Sequence, residues 1–206
     1  MVALWILAAG LVLGYYLLPG FAGVLEPVRE WQVESGWVAA FLNRVVFCGL
    51  LPGIFLLTVK SIRPRRPVRT VLAYCVWAGC WGIACDCFFT FQTRMFGDGR
   101  DMMTLVKKTL VDQFVWNVFI CTPANALFFP WVENDFRGDG GLSRGVSEFV
   151  FGHCAAMLVS NWTVWLPVTM AVYAFPLPLQ IQLVGFAGAF WMLVALRAAA
   201  RSREGR

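Results

Sequence analysis

The sequence predicts an all-α fold, a polytopic transmembrane helical bundle of about six spans, with residues 1–206 forming a single integral membrane domain. Three observations carry that prediction. Hydrophobic residues make up 59% of the chain and charged residues 14%, and mean hydropathy is +0.67, whereas soluble domains are nearer half apolar and a quarter charged. The apolar residues come in runs of about the 20 residues needed to cross the hydrocarbon of a bilayer. The basic residues collect at the ends of those runs, as orientation signals do. For that last reason the net charge of +5 is not a nucleic-acid footprint. The expected partner is the lipid bilayer, and nucleic acid is excluded.

The first run, residues 2–18, lacks a basic leading segment and a following Ala-x-Ala site, and so reads as a retained anchor and not a cleaved signal. The others cover residues 37–59, 70–91, 109–131, 149 to about 175, and 179–196. Each must be a helix, because a lone strand leaves its backbone groups unsatisfied in lipid. None shows the alternation of a membrane barrel strand.

The connections are short. Residues 19–36 carry Glu26, Glu30 and Glu34 against Arg29, and KSIRPRRPVR at 60–69 has five basic residues and no acid. The third connection holds Arg94, Arg100, Lys107 and Lys108 with Asp98 and Asp101. The fourth, around NDFRGDGG at 134–141, is glycine-rich, and the fifth, 176–178, is uncharged. Arg197, Arg201, Arg203 and Arg206 follow the last run. Six spans place the second and fourth connections and both termini on one side, which collects most of the basic residues. The positive-inside rule makes that side cytoplasmic.

Charges within the spans are the informative residues, since a central one costs on the order of 3 kcal/mol on insertion scales and turns toward a partner or water. Arg44, Asp86 and Asp112 are the candidates. In the fourth span Gln113, Asn117, Cys121 and Asn125 recur every fourth residue, which keeps them on one slowly rotating helix face. Pro123 among them predicts a kink. Such a stripe either lines a wet cavity or bonds neighbouring helices together. In NWTVWLPVTMAVYAFPLPLQ, residues 161–180, Trp162 and Trp165 pack or anchor while Pro167, Pro176 and Pro178 kink or turn the chain. Asn161 opens a formal glycosylation sequon that falls inside a span.

The other signals are bland. The seven cysteines lie mostly within apolar runs and read as small buried hydrophobes. Cys85-Asp86-Cys87 has no matching second pair, so no metal site is expected. His153 is the single histidine and reads as a packed imidazole. The glycine pairs Gly10/Gly14 and Gly49/Gly53 read as helix packing within one bundle, with a homo-oligomer as the alternative. No phosphate loop, dinucleotide fingerprint or nucleophile elbow occurs. Neither an enzyme nor a cofactor is expected.

Three pieces of the chain also carry a resemblance: Arg69-Thr70 followed by Gly79-Cys80-Trp81-Gly82; LVKKTLVDQ, from Leu105 to Gln113, followed by Pro123; and the 161–180 stretch followed by Trp191. Together, over roughly residues 69–196, they resemble the Mpv-seventeen/peroxisomal membrane protein twenty-two family of small organellar membrane proteins. Asp112, Gln113, Pro123, Asn161, Trp165, Pro167, Pro176 and Trp191 match by position. Leu166 stands where the family has proline, Ile83 where it has proline, and Thr169, Val172 and Gln180 where it has Gln, Asn and Arg. Residues 1–60 lie outside the match. The likeness implies a divergent, bacterial member in an inner membrane or, following the family, a mitochondrial or peroxisomal membrane protein. It also implies channel-like conduction of small solutes or ions. The alternative is a non-conducting protein of membrane homeostasis or assembly, its buried polar groups structural.

The composition alone makes one outcome checkable. The purified chain is expected to run as a monodisperse species in size-exclusion chromatography with detergent or lipid, and to aggregate when both are withdrawn.

Overall fold

The computed structural model describes residues 2–138 and 148–204, and all regular structure among them is helical. Residues 139–141 of the glycine-rich connection, the side chain of His153 and those of the tail arginines beyond Arg197 lie outside the described residues. We number seven helices: α1 (Val2–Leu17), α2 (Phe21–Ser35), α3 (Trp37–Thr58), α4 (Pro67–Phe96), α5 (Met102–Glu133), α6 (Ala155–Tyr173, led in by a π-helical stretch Glu148–Cys154) and α7 (Leu177–Glu204). Four are long and apolar enough to cross a membrane: α3, α4, α5 and the Leu177–Val194 part of α7. A fifth span arises if the bent pair Trp5–Leu17 and Phe21–Ser35 is taken as one. The expected six is therefore not reached among the described residues. The run at 149 to about 175 includes side chains outside that set.

The first expected connection is a helix. Between Gly20 (φ 84°) and Gly36 (φ 52°), both left-handed, the chain winds as α2, and α1 meets it at 103°. Glycine takes that conformation at little steric cost. Charge density hid the periodicity: the less exposed residues Phe21, Leu25, Arg29, Gln32 and Gly36 recur every three or four positions, the spacing of one helix face. Glu26 and Arg29, three residues apart, pair at 2.6 Å.

Two spans widen into π-helix, at Val45–Leu50 in α3 and Asp112–Cys121 in α5. Both stretches end just before a proline, Pro52 and Pro123 respectively. Proline lacks a donor and its ring crowds the carbonyl four residues earlier. Widened turns are one way a helix absorbs that conflict without breaking. Pro123 thus marks a change of helical pitch and not a chain break. Pro167 lies inside α6. Pro176 is the turn: its carbonyl accepts from the Leu179 and Gln180 amides at 2.9 and 3.3 Å, starting α7.

Glycine sets the closest helix contacts. A Cβ on Gly49 would sit 2.7 Å from the Cα of Cys75, and one on Gly82 would sit 2.3 Å from the Ala40 carbonyl oxygen. The Gly49/Gly53 pair therefore seats α3 on α4 within one chain. A Cβ on Gly10 would meet nothing within 4 Å, and one on Gly14 only the Phe21 ring at 3.4 Å. The main core joins Ala40, Cys85, Phe88, Phe89, Val164, Val168, Tyr173, Ile181 and Val184.

The two ends of the bundle are tied differently. At one, Arg66 pairs with Asp135 at 3.3 Å and the Arg69 guanidinium lies 4.2 Å over the Phe136 ring. These contacts hold the turn after α5, where Asp135 (φ 58°) and Phe136 (φ 64°) are left-handed. At the other, the Tyr16 hydroxyl donates to the Ala174 carbonyl and Arg100 lies 5.7 Å over the Tyr16 ring. Asp101 caps α5 there, its carboxylate accepting from the Thr104 amide at 3.0 Å and the Thr104 hydroxyl at 2.7 Å.

Gly82→Ala is expected to lower stability by about 1–3 kcal/mol through overpacking, read as an earlier unfolding midpoint in detergent, while Gly10→Ala leaves the midpoint in place. The Thr104 hydrogen bonds hold the Asp101 carboxyl below the usual carboxylate range. Its contribution is therefore present above the ordinary carboxylate pKa and is lost as pH falls below about 4. The protection of the Thr104 amide relative to its intrinsic exchange rate should fall on acidification, and Asp101→Ala should remove that pH dependence.

Candidate functional site

At the centre of the bundle lies a cavity of about 210 Å³. α3 contributes Arg44 and Cys48; α4 contributes Trp77, Trp81 and Cys85; α5 contributes Asp112, Gln113, Trp116, Asn117, Cys121 and Asn125. α6 adds Asn161, Trp165 and Thr169, and α7 adds Gly188 and Trp191. Six residues picked out from the sequence, Arg44, Asp112, Gln113, Asn117, Asn125 and Asn161, share this space. Asp86 does not. It is half-buried off the cavity wall and accepts from the Gln32 amide at 3.2 Å. Cys85 lines the cavity while its neighbour Asp86 lies on a different face of α4, so the two carboxylates do not share this space.

The α5 stripe stays on one face for a geometric reason. A four-residue step overshoots a turn of an α-helix, at about 3.6 residues per turn. It falls short of a turn in a π-helix, whose bonds run one residue further. The π stretch Asp112–Cys121 followed by α-helix makes these two drifts oppose each other, so Gln113, Asn117, Cys121 and Asn125 all reach the cavity.

Those side chains form a bonded spine. The Gln92 amide donates to the Tyr173 hydroxyl at 2.5 Å, and that hydroxyl donates to Asp112 Oδ2 at 2.6 Å. Gln113 Nε2 donates to Asp112 Oδ1 at 2.8 Å. Asn117 Nδ2 donates to Gln113 Oε1 at 3.2 Å. The Asn117 carbonyl then accepts from Asn161 and from the Thr122 hydroxyl, each at 3.0 Å. The Trp162 indole donates to the Gln113 backbone carbonyl at 2.9 Å, and Trp77 donates to Asn125 at 3.1 Å. Asn161 is thus a bundle residue, and Trp162 is a bonded one.

Arg44 is treated differently. Its guanidinium donates to Cys48 Sγ at 3.6 Å and Cys85 Sγ at 3.4 Å, and its buried Nε donates to nothing. Thiols are weak acceptors. The described ion pairs, Arg29 with Glu26 and Arg66 with Asp135, do not include it. Cys87 is exposed and diverges from Cys85, and among the described residues no cluster of three metal-ligating side chains occurs.

Several participants escaped the sequence reading. Tyr173 continues a four-residue repeat in α6 of Asn161, Trp165, Thr169 and Tyr173, the same signal that marked α5. Lys108, assigned to a connection, precedes Asp112 by four residues and is buried; its amine reaches the Thr93 hydroxyl at 3.3 Å. A second polar layer has Asn43 donating to Gln182 at 2.5 Å and Gln182 donating to Gln32 at 2.6 Å. Its members come from three helices at irregular spacing, so no single-helix pattern announces them.

Fold and site together define a class: an all-helical membrane protein with a largely apolar, tryptophan-rich cavity between its spans, into which a few polar side chains project. Compared with family profiles, curated proteins and solved structures, the chain matches none.

Tyr173→Phe removes one of the two donors to the Asp112 carboxylate. It is expected to lower stability by about 1–3 kcal/mol, measured as a reduced melting temperature in detergent. Thr163→Ala, at an exposed position, serves as the unaffected comparison.

Proposed function

We propose that this multi-pass membrane protein admits small solutes into its central cavity as part of a channel-like or transport-related activity. The observation that carries the reading is the placement of Arg44, Asp112, Gln113, Asn117, Asn125 and Asn161 around one space between apolar helices. Polar groups at membrane depth are costly unless they meet partners or water, and these six meet partners around a space roomy enough for a small solute. The resemblance to the Mpv-seventeen/peroxisomal membrane protein twenty-two family supports the same reading, as do Asp112, Gln113 and Asn161 at matching positions. The basic 60–69 segment supports a cytoplasmic location for its end of the bundle. No catalytic role is assigned.

A second reading has its own support: the Asp112 carboxylate already accepts on both oxygens, as a purely structural group would. One experiment separates the two. Reconstituted protein should give solute-dependent swelling of proteoliposomes in erythritol, and Asp112→Asn should change the rate several-fold. Absence of wild-type flux, with Asp112→Asn lowering thermal stability alone, would favour the non-conducting protein of membrane assembly.

A further inference from the structure

The cavity holds one cation and one carboxylate, and their surroundings are unequal. Asp112 is satisfied by Tyr173 and Gln113. Arg44 has only two thiol acceptors, and its buried Nε is unmet. A guanidinium stays charged in proteins and offers five donors. An unmet donor on a buried charged group destabilises the empty state. What this wall lacks is therefore an acceptor, and a charged one.

The rest of the lining says what the acceptor is attached to. Trp77, Trp81, Trp116 and Trp165 surround the same space, with Trp81 and Trp116 edge to face at 6.0 Å. Such walls favour an apolar or aromatic body. The volume of about 210 Å³ exceeds the roughly 150 Å³ of an apolar cavity that takes up benzene, which suits a body the size of a benzoate ion.

A second space of about 380 Å³ opens at the basic end, lined by Arg63 and Arg65 together with Glu133 and Asp135. Asp135 is already paired with Arg66, which leaves Arg63 and Arg65 against Glu133. Tyr74 lines both spaces, so its side chain lies between them.

We propose that the central cavity binds a small organic monoanion, its carboxylate on Arg44 and its apolar body among the tryptophans. This rests on the reading of the cavity as a solute site and names the class of solute.

The test uses the full chain in phosphatidylcholine nanodiscs, with cavity tryptophan fluorescence as the readout and empty discs as the blank. Benzoate and its neutral isostere benzamide are the probes. Benzoate should bind saturably and at least about tenfold more tightly than benzamide, as a charge-assisted hydrogen bond requires. Arg44→Gln should erase the difference, and Arg44→Lys should keep part of it. Equal binding of the two probes by the wild type overturns the inference without any variant having to fold, as does discrimination that survives in Arg44→Gln. Saturable benzamide binding without benzoate binding leaves the solute cavity standing and removes the anion. Binding of neither probe removes both.

Discussion

A carboxylate at membrane depth has to find donors, and Asp112 finds them in Tyr173 of α6 and in Gln113 beside it on α5. That arrangement sets the middle of the molecule. With lipid outside, an unsatisfied carboxylate costs several kcal/mol, so α5 and α6 are held at the rotation and depth where the hydroxyl meets the carboxylate. Gln92 extends the constraint to α4, and Asn161 closes it further along α6. The packing of apolar side chains then follows a register that polar chemistry has chosen.

The second constraint is steric. α3 approaches α4 closely enough that side chains at Gly49 and Gly82 would strike backbone atoms of the partner helix. This proximity brings Arg44 beside Cys85 and gives the cavity its cationic wall. Proline supplies the third. Pro52 and Pro123 follow π-helical stretches, and the wider turns in α5 keep polar residues four apart aimed at the same space. A cavity in a helical bundle needs such irregularity, since regular α-helices packed at native density leave little room between them.

Much of the fold was legible in the chain. α3, α4 and α5 form over the apolar runs from which they were expected, with α4 and α5 extending past both ends of theirs and α5 starting as early as Met102, because in lipid each backbone amide must bond within its own helix. The polar stripe of α5 was legible for the same reason of periodicity. α2 was not, since its charged residues suppress hydropathy while its helical spacing survives. Lys108 was misplaced by the same habit of reading charge as exposure: its long apolar stem allows burial with the amine on Thr93. Tyr173 carried the four-residue signal but sat among apolar neighbours.

Sequence settled the solvent, the helical character and the identity of the polar residues, because composition and period are local properties that need no neighbours. The tertiary structure alone decided which of those residues meet. Asp86 and Asp112 look equivalent along the chain, yet one is held by Gln32 at the periphery and the other by Tyr173 at the cavity. Helix rotation sorts them, and that rotation is fixed by contacts between residues as far apart in sequence as Asp112 and Tyr173. That Arg44 meets two thiols and no carboxylate is likewise invisible in one dimension, because it depends on everything around the side chain.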